Sequence, residues 1–228
     1  MATLERRWML VQLFFELIFF TLILDFAPVG IAAEQSCFDF ATRVVYPLKE
    51  RAFIPLPPRS GNGEPGNIAI RSGKMPSGIG WGAVRGEVKK SLNDLIKNLR
   101  EHESTKSPRV SKMEITPIED PKYLLRQNVA FEMDPFPLMS VKWTEVWVFS
   151  LLQGEPEDPQ MVLVSYQKSE GTSYIRHLCG NYQLEKRSPD VTDVYIYEEA
   201  DATSRSEQDT VNDIRRTLEA FRADPQSK

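Results

Sequence analysis

Between Val110 and Ala202 the chain runs from one strand-like segment to the next, and it then closes on a single amphipathic helix. That order leaves few folds open, because a helix with one apolar stripe must bury it against a sheet face. "YLLRQNVAFEM" sets Leu125, Val129, Phe131 and Met133 on one side and Arg126, Asn128 and Glu132 on the other. A half-buried antiparallel strand requires that alternation. Asp134-Pro135-Phe136-Pro137 stops it. "VKWTEVWVFSLL" and "QMVLVSYQKS" predict a hairpin across "QGEPEDP", and "TSYIRHLCGNYQLEKR", with a bulge at Gly180, turns at Ser188-Pro189-Asp190 into "VTDVYIYEEA". With "VSKMEIT" (110–116) these segments predict six strands.

"WGAVRGEV" predicts a seventh strand ahead of them, and "SLNDLIKNLREHE" predicts a helix between. Leu92, Leu95, Ile96 and Leu99 repeat at i, i+3, i+4 and i+7, with Ser91 at the N-cap and Asp94 completing a capping box. In the closing helix, "SRSEQDTVNDIRRTLEAFR", Ser204 and Glu207 are expected to form the box. Val211, Ile214, Leu218 and Phe221 make its stripe, and Asp209 and Asp213 sit near the positive end of its dipole.

The first 33 residues read as a signal peptide: Arg6 and Arg7, an apolar run from Met9 to Phe26, and small residues Gly30-Ile31-Ala32-Ala33 at a cleavage site. A soluble internal helix is one alternative, and an uncleaved membrane anchor is the other. Gln12 and Glu16 weaken the anchor, since an ionised carboxylate at mid-bilayer costs roughly 2.5–3.5 kcal/mol. Export, periplasmic or secreted, is therefore expected. Residues 34–79 form a Pro/Gly-rich arm without sustained periodicity, and 80–228 hold the domain. An even cysteine count in an exported chain permits a disulfide between Cys37 and Cys179, which we expect, with two separate thiols as the alternative.

Composition narrows the partners. The net charge is −4 with no basic stripe, which excludes a nucleic-acid binder. His177 and Cys179 lie two apart on one strand face, yet no helix terminus, cation or third group signals an activated thiol, and two ligands do not make a zinc site. We expect no catalytic residues, no metal, no cofactor and no enzyme. Trp143, Glu145, Trp147 and Phe149 share one strand face, where a carboxylate among aromatics calls for a partner such as Arg126, Arg176 or a ligand's polar head.

A strand, a helix, six antiparallel strands and a long closing helix resemble the START-like superfamily, the helix-grip fold of lipid-transfer domains and birch-pollen-allergen-like proteins. The local carriers are "GAVRGEVKKSLNDLIKNL" and "CGNYQLEKRSPDVTDVYIYEEADA", the latter similar to the family's penultimate hairpin, with Thr192, Val194 and Tyr197. The resemblance spans about residues 80–223. It implies an α+β fold in which a seven-stranded curved antiparallel sheet wraps the C-terminal helix. It also implies a cavity between them for an apolar small molecule or lipid, with transient membrane contact. A module whose cavity is filled by side chains, with an unknown protein partner, is the alternative. The expected cavity residues are Trp143, Glu145, Trp147, Phe149, Ile214, Leu218 and, from the last strand, Val194 and Ile196, with Tyr195 and Tyr197 as the other set.

Overall fold

The computed structural model describes residues 38–39, 44–45, 54–57, 68–102, 110–136, 139–203 and 205–223. The chain divides into two units, Met1–Gln35 and Ser36–Lys228, and the description concerns the second. The predicted signal peptide and Cys37 lie outside the described residues. Among those residues no helix is long and apolar enough to cross a membrane.

Two short strands, β1 (Phe38–Asp39) and β2 (Val44–Val45), pair with each other. The main sheet follows: β3 (Ala69–Lys74), β4 (Gly80–Val88), then helix α1 (Leu92–Glu101), β5 (Val110–Ile118), β6 (Leu125–Phe136), β7 (Met139–Glu155), β8 (Asp158–Gly171), β9 (Ile175–Ser188), β10 (Val191–Ala202) and helix α2 (Glu207–Arg222). The sheet has eight antiparallel strands in the order β3-β4-β10-β9-β8-β7-β6-β5. The expected seven were one too few. The eighth, β3, comes from the stretch assigned to the arm and pairs Ala69 with Arg85 through Lys74 with Gly80. It is a mostly exposed edge strand, so burial imposed no apolar alternation on it.

Two-residue turns make the hairpins tight. Ser188 faces Val191 across Pro189-Asp190, and Glu155 faces Asp158 across Pro156-Glu157, next to Gly154 at φ 94°. The β9–β10 ladder stays in register through Gly180, where a bulge was expected; its shifts fall at Val191/Thr192 and Asp201/Ala202. Three register shifts interrupt the β7–β8 ladder, the first at Thr144/Glu145, and such shifts bend a strand.

Helix α1 starts at Ser91, whose Oγ accepts from the Asp94 amide at 3.1 Å. It ends on His102, in the left-handed region at φ 55°. The box of α2 lies two residues beyond the expected Ser204 and Glu207: Ser206 caps the Asp209 amide, and Asp209 Oδ2 accepts from the Ser206 amide at 2.8 Å. Val211, Ile214, Leu218 and Phe221 are buried against the sheet, as the stripe required. Close approach to β4 depends on glycine, since a Cβ on Gly82 would lie 3.0 Å from Ile214 Cδ1. The outer face of the sheet carries a smaller cluster of Ile54, Ala83, Cys179, Tyr195 and Tyr197. Beside it Arg85 grips Asp193, with Nη2 at 2.6 Å from Oδ2, and donates from Nη1 to the Ile54 carbonyl at 3.0 Å.

Candidate functional site

The alternation of β7 puts Trp143, Glu145 and Trp147 side by side on the face that α2 covers. The two indoles turn their Nε1–H groups onto the carboxyl between them, Trp143 donating to Oε1 at 2.7 Å and Trp147 to Oε2 at 2.8 Å. Arg126 and Arg176, the partners expected from sequence, are engaged elsewhere, on Asp120 and Asp201. Arg126 lies opposite Val148 in the β6–β7 register, out of phase with the face that carries Trp147, and the Arg176 side chain is half exposed beside Asp201.

These three residues form one wall of a cavity of about 440 Å³ between the sheet and α2, with Phe131, Tyr166 and Tyr182 continuing it and Ile214 closing it from the helix. Phe149, Val194, Ile196 and Leu218 face the same side but are fully buried in packed core and do not line the opening. Tyr195 and Tyr197 belong to the outer face. A depression of similar volume, about 430 Å³, lies at the start of α2 near Lys74, Gly80 and Glu207, and no aromatic residue lines it.

Sequence reading missed the polar half of the cavity. Tyr166 projects from β8 across Gly180, where a Cβ would sit only 2.5 Å from the phenol carbon Cζ. The phenol donates to Glu198 Oε2 at 2.6 Å, while Arg205 Nη2 donates to Oε1 at 2.6 Å. Arg205 also meets Asp213 Oδ2 at 3.1 Å, and Asp213 meets Arg216 at 2.7 Å. The adjacent glutamates of "YIYEEA" therefore divide between the faces, Glu198 inward and Glu199 outward, as period 2 dictates. Beneath Trp147 lies the buried ring of His102, edge-on at 4.4 Å, with Nε2 2.9 Å from Gln127 Nε2.

Burial sets the electrostatics. It raises Glu145 to a pKa of about 7, against the pull of the two indole donors and reinforced by Glu198. Burial likewise raises Glu198, opposed by Arg205, and pushes the Tyr166 and Tyr182 phenols well above their ordinary range. His102 falls to about 4, again through burial.

The pair His177 and Cys179 lies on the outer face, away from this cavity. Glu199 joins it, with His177 Nε2 at 3.2 Å from Glu199 Oε2. Cys179 is not a free thiol, so only two of these three groups could act as ligands, short of a metal site.

The backbone of this sheet and its C-terminal helix is similar to that of known structures. The human StarD13 lipid transfer and protein localization domain superposes with a TM-score of 0.52 at 10% identity, covering 70% of this chain and 85% of that one. The chain has the START-like fold. Human STARD10 gives 0.50 at 10% identity, over 72% of this START-like chain and 70% of its own. A looser likeness, TM-score 0.37 at 13% identity over 68% and 84%, is to the Zhui aromatase/cyclase from a Streptomyces species. A shared fold hosts both carriers and enzymes, so the START-like shape does not by itself support the expectation of a non-enzyme. No family model and no curated protein matches the sequence.

Proposed function

We propose that this START-like domain binds and carries one apolar ligand between α2 and the sheet. The observation that carries the reading is the cavity itself: about 440 Å³, walled by stacked aromatics, in a protein whose surrounding core is closely packed. Small-molecule sites span roughly 300–1,000 Å³, so the space fits a single-chain or ring-shaped ligand better than a two-chain phospholipid. An open cavity also favours a carrier over a module filled by its own side chains. A second reading, catalysis on the bound ligand, draws on Glu145, since a carboxyl of pKa about 7 can take or give a proton at neutral pH. Turnover of a bound ligand lost in Glu145→Gln would favour that reading.

Two substitutions to tryptophan separate cavity from core. Leu178 lines the cavity and is partly buried, so Leu178→Trp should fill it and weaken binding of a fluorescent apolar probe with little change in unfolding temperature. Leu218 is fully buried in the core, and Leu218→Trp should cost roughly 1–3 kcal/mol by overpacking. Equal probe binding by parent and Leu178→Trp would count against the carrier.

We further propose that the protein is exported, cleaved after Ala32 or Ala33, and bridged between Cys37 and Cys179, with transient membrane contact during loading. The leader-like sequence supports the first two, and the engaged state of Cys179 in a chain with one other cysteine supports the third. Intact-mass measurement of exported protein should give a chain beginning at Ala33 or Glu34 and lacking the mass of two hydrogens. A chain beginning at Met1, or one that labels at two thiols when denatured without reductant, would remove the corresponding claim.

A further inference from the structure

Glu145 is 4% exposed, and its hydrogen-bond partners are two neutral indoles. Among the described residues no ion pair involves it. The other charges around the cavity are accounted for. Glu198 is met by Arg205, and Asp213 by Arg205 and Arg216. Asp209 turns back to the Ser206 amide at the positive end of α2. Counting Glu145, Glu198 and Asp213 against Arg205 and Arg216 leaves one negative charge over, and it is the most deeply enclosed. Of the remaining titratable neighbours, Tyr166, Tyr182 and His102 are held neutral by burial, Tyr174 lines the cavity as a phenol, and Lys168, opposite Glu145 in the β7–β8 register, forms no ion pair with it among the described residues.

Both Glu145 oxygens accept from N–H donors, an arrangement that favours the carboxylate over the acid, whose hydroxyl would oppose an indole N–H. A buried carboxylate without a counter-charge is unfavourable, so the site answers either with a proton or with a cation from the ligand. The walls suit the second. Trp143 stacks on Phe131 at 5.0 Å and Trp147 on Tyr166 at 4.5 Å, and electron-rich ring faces attract weakly hydrated cations such as alkylammonium groups. An anionic head would meet Glu145, Glu198 and Asp213 together.

We propose that the Glu145 end of the cavity is a cation subsite and that the ligand is an amphiphile with an apolar body and an ammonium head. This rests on the carrier reading and names the ligand class that the cavity takes. When such a ligand binds below neutral pH, the carboxyl proton leaves to solvent and the ammonium takes its place.

Three probes with one tail and different heads test it: decyltrimethylammonium, decanol and decanoate, each below its micellar concentration, displacing a fluorescent apolar reporter. The ammonium should bind tighter than decanol by roughly tenfold or more, with decanoate weakest. Because a quaternary ammonium cannot titrate, its affinity should rise with pH by up to about tenfold per unit below pH 7 and then level off. Calorimetry at pH 6 in buffers of unlike protonation enthalpy should show proton release. Glu145→Gln should bring the ammonium-to-decanol preference to near unity and abolish the pH dependence. If that variant does not fold, Trp143→Phe, which removes one donor to the carboxylate, should move the midpoint of the pH dependence upward. Decanol or decanoate binding as tightly as the ammonium, or a pH-independent ammonium affinity, would overturn the cation subsite and leave the carrier standing. Failure of all three probes and the reporter to bind would overturn both.

Discussion

Glu145→Gln should be less stable than the parent at pH 4.5 and more stable at pH 8, with the difference between the two proteins changing by about 3 kcal/mol across that interval. The native carboxyl keeps its proton to a pKa of about 7, whereas in the unfolded chain it titrates near 4.5. Below 4.5 both states are protonated and nothing is lost. Between 4.5 and 7 only the unfolded state ionises, so the parent loses stability as pH rises. Glutamine cannot ionise, and it removes that slope. It also turns an amide N–H₂ towards one of the indole donors, which leaves a buried N–H short of an acceptor and costs roughly 1–3 kcal/mol at every pH. Urea unfolding at intervals from pH 4.5 to 8 measures the difference, and parallel curves for the two proteins would refute the raised pKa. A group this costly at neutral pH, left in the wall of an open cavity, is more readily understood as part of a binding function than as a stabilising element.

His102→Asn should show the opposite slope. The His102 ring is neutral in the native state down to about pH 4, while the unfolded residue takes up a proton near 6.5. The parent therefore loses stability as pH falls from 6.5 to 4, by about 3 kcal/mol if no other group responds. Asparagine tolerates the left-handed conformation at this helix end and does not titrate, so its slope is absent. At pH 7 the variant should be the weaker protein, because it forfeits the edge-on contact with Trp147 and leaves a void. By pH 4 that deficit should have shrunk by about 3 kcal/mol. A deficit that stays constant would show that the ring does not remain neutral. The two groups nearly cancel in the parent, whose stability should be flat between pH 4.5 and 6.5 as far as they determine it, and each single variant exposes the other's slope. Trp147 touches the His102 ring and holds Glu145 Oε2, so the double variant should not be additive.

Much of this fold is written in local periodicity. The six strands from β5 to β10 show as alternation and turn residues, and both helices as apolar stripes at 3.6-residue spacing, because each of those patterns reflects burial on one face of one element. The N-cap of α2 slipped by two residues because Ser204-x-x-Glu207 and Ser206-x-x-Asp209 have the same spacing, and only the packed start of the helix chooses between them. Strand β3 was hidden in the Pro/Gly-rich arm, since an edge strand exposed on most positions carries no apolar alternation.

The candidate site divides in the same way. Trp143, Glu145 and Trp147 stand at i, i+2 and i+4 on one strand, so their shared face was legible, and with it the oddity of a carboxyl between two indoles. That Val194 and Ile196 face inward was fixed only when β10 paired with β4 and β9. Tyr166, Glu198 and Arg205 come from two strands and a loop; no spacing along the chain announces that Arg205 will meet Glu198 or that Gly180 will make room for the Tyr166 ring. Whether a carboxyl has a counter-ion depends on which strands lie next to each other and how they bend. Sequence placed the charge on its face, and tertiary structure left it enclosed, held by two neutral donors and open towards a ligand.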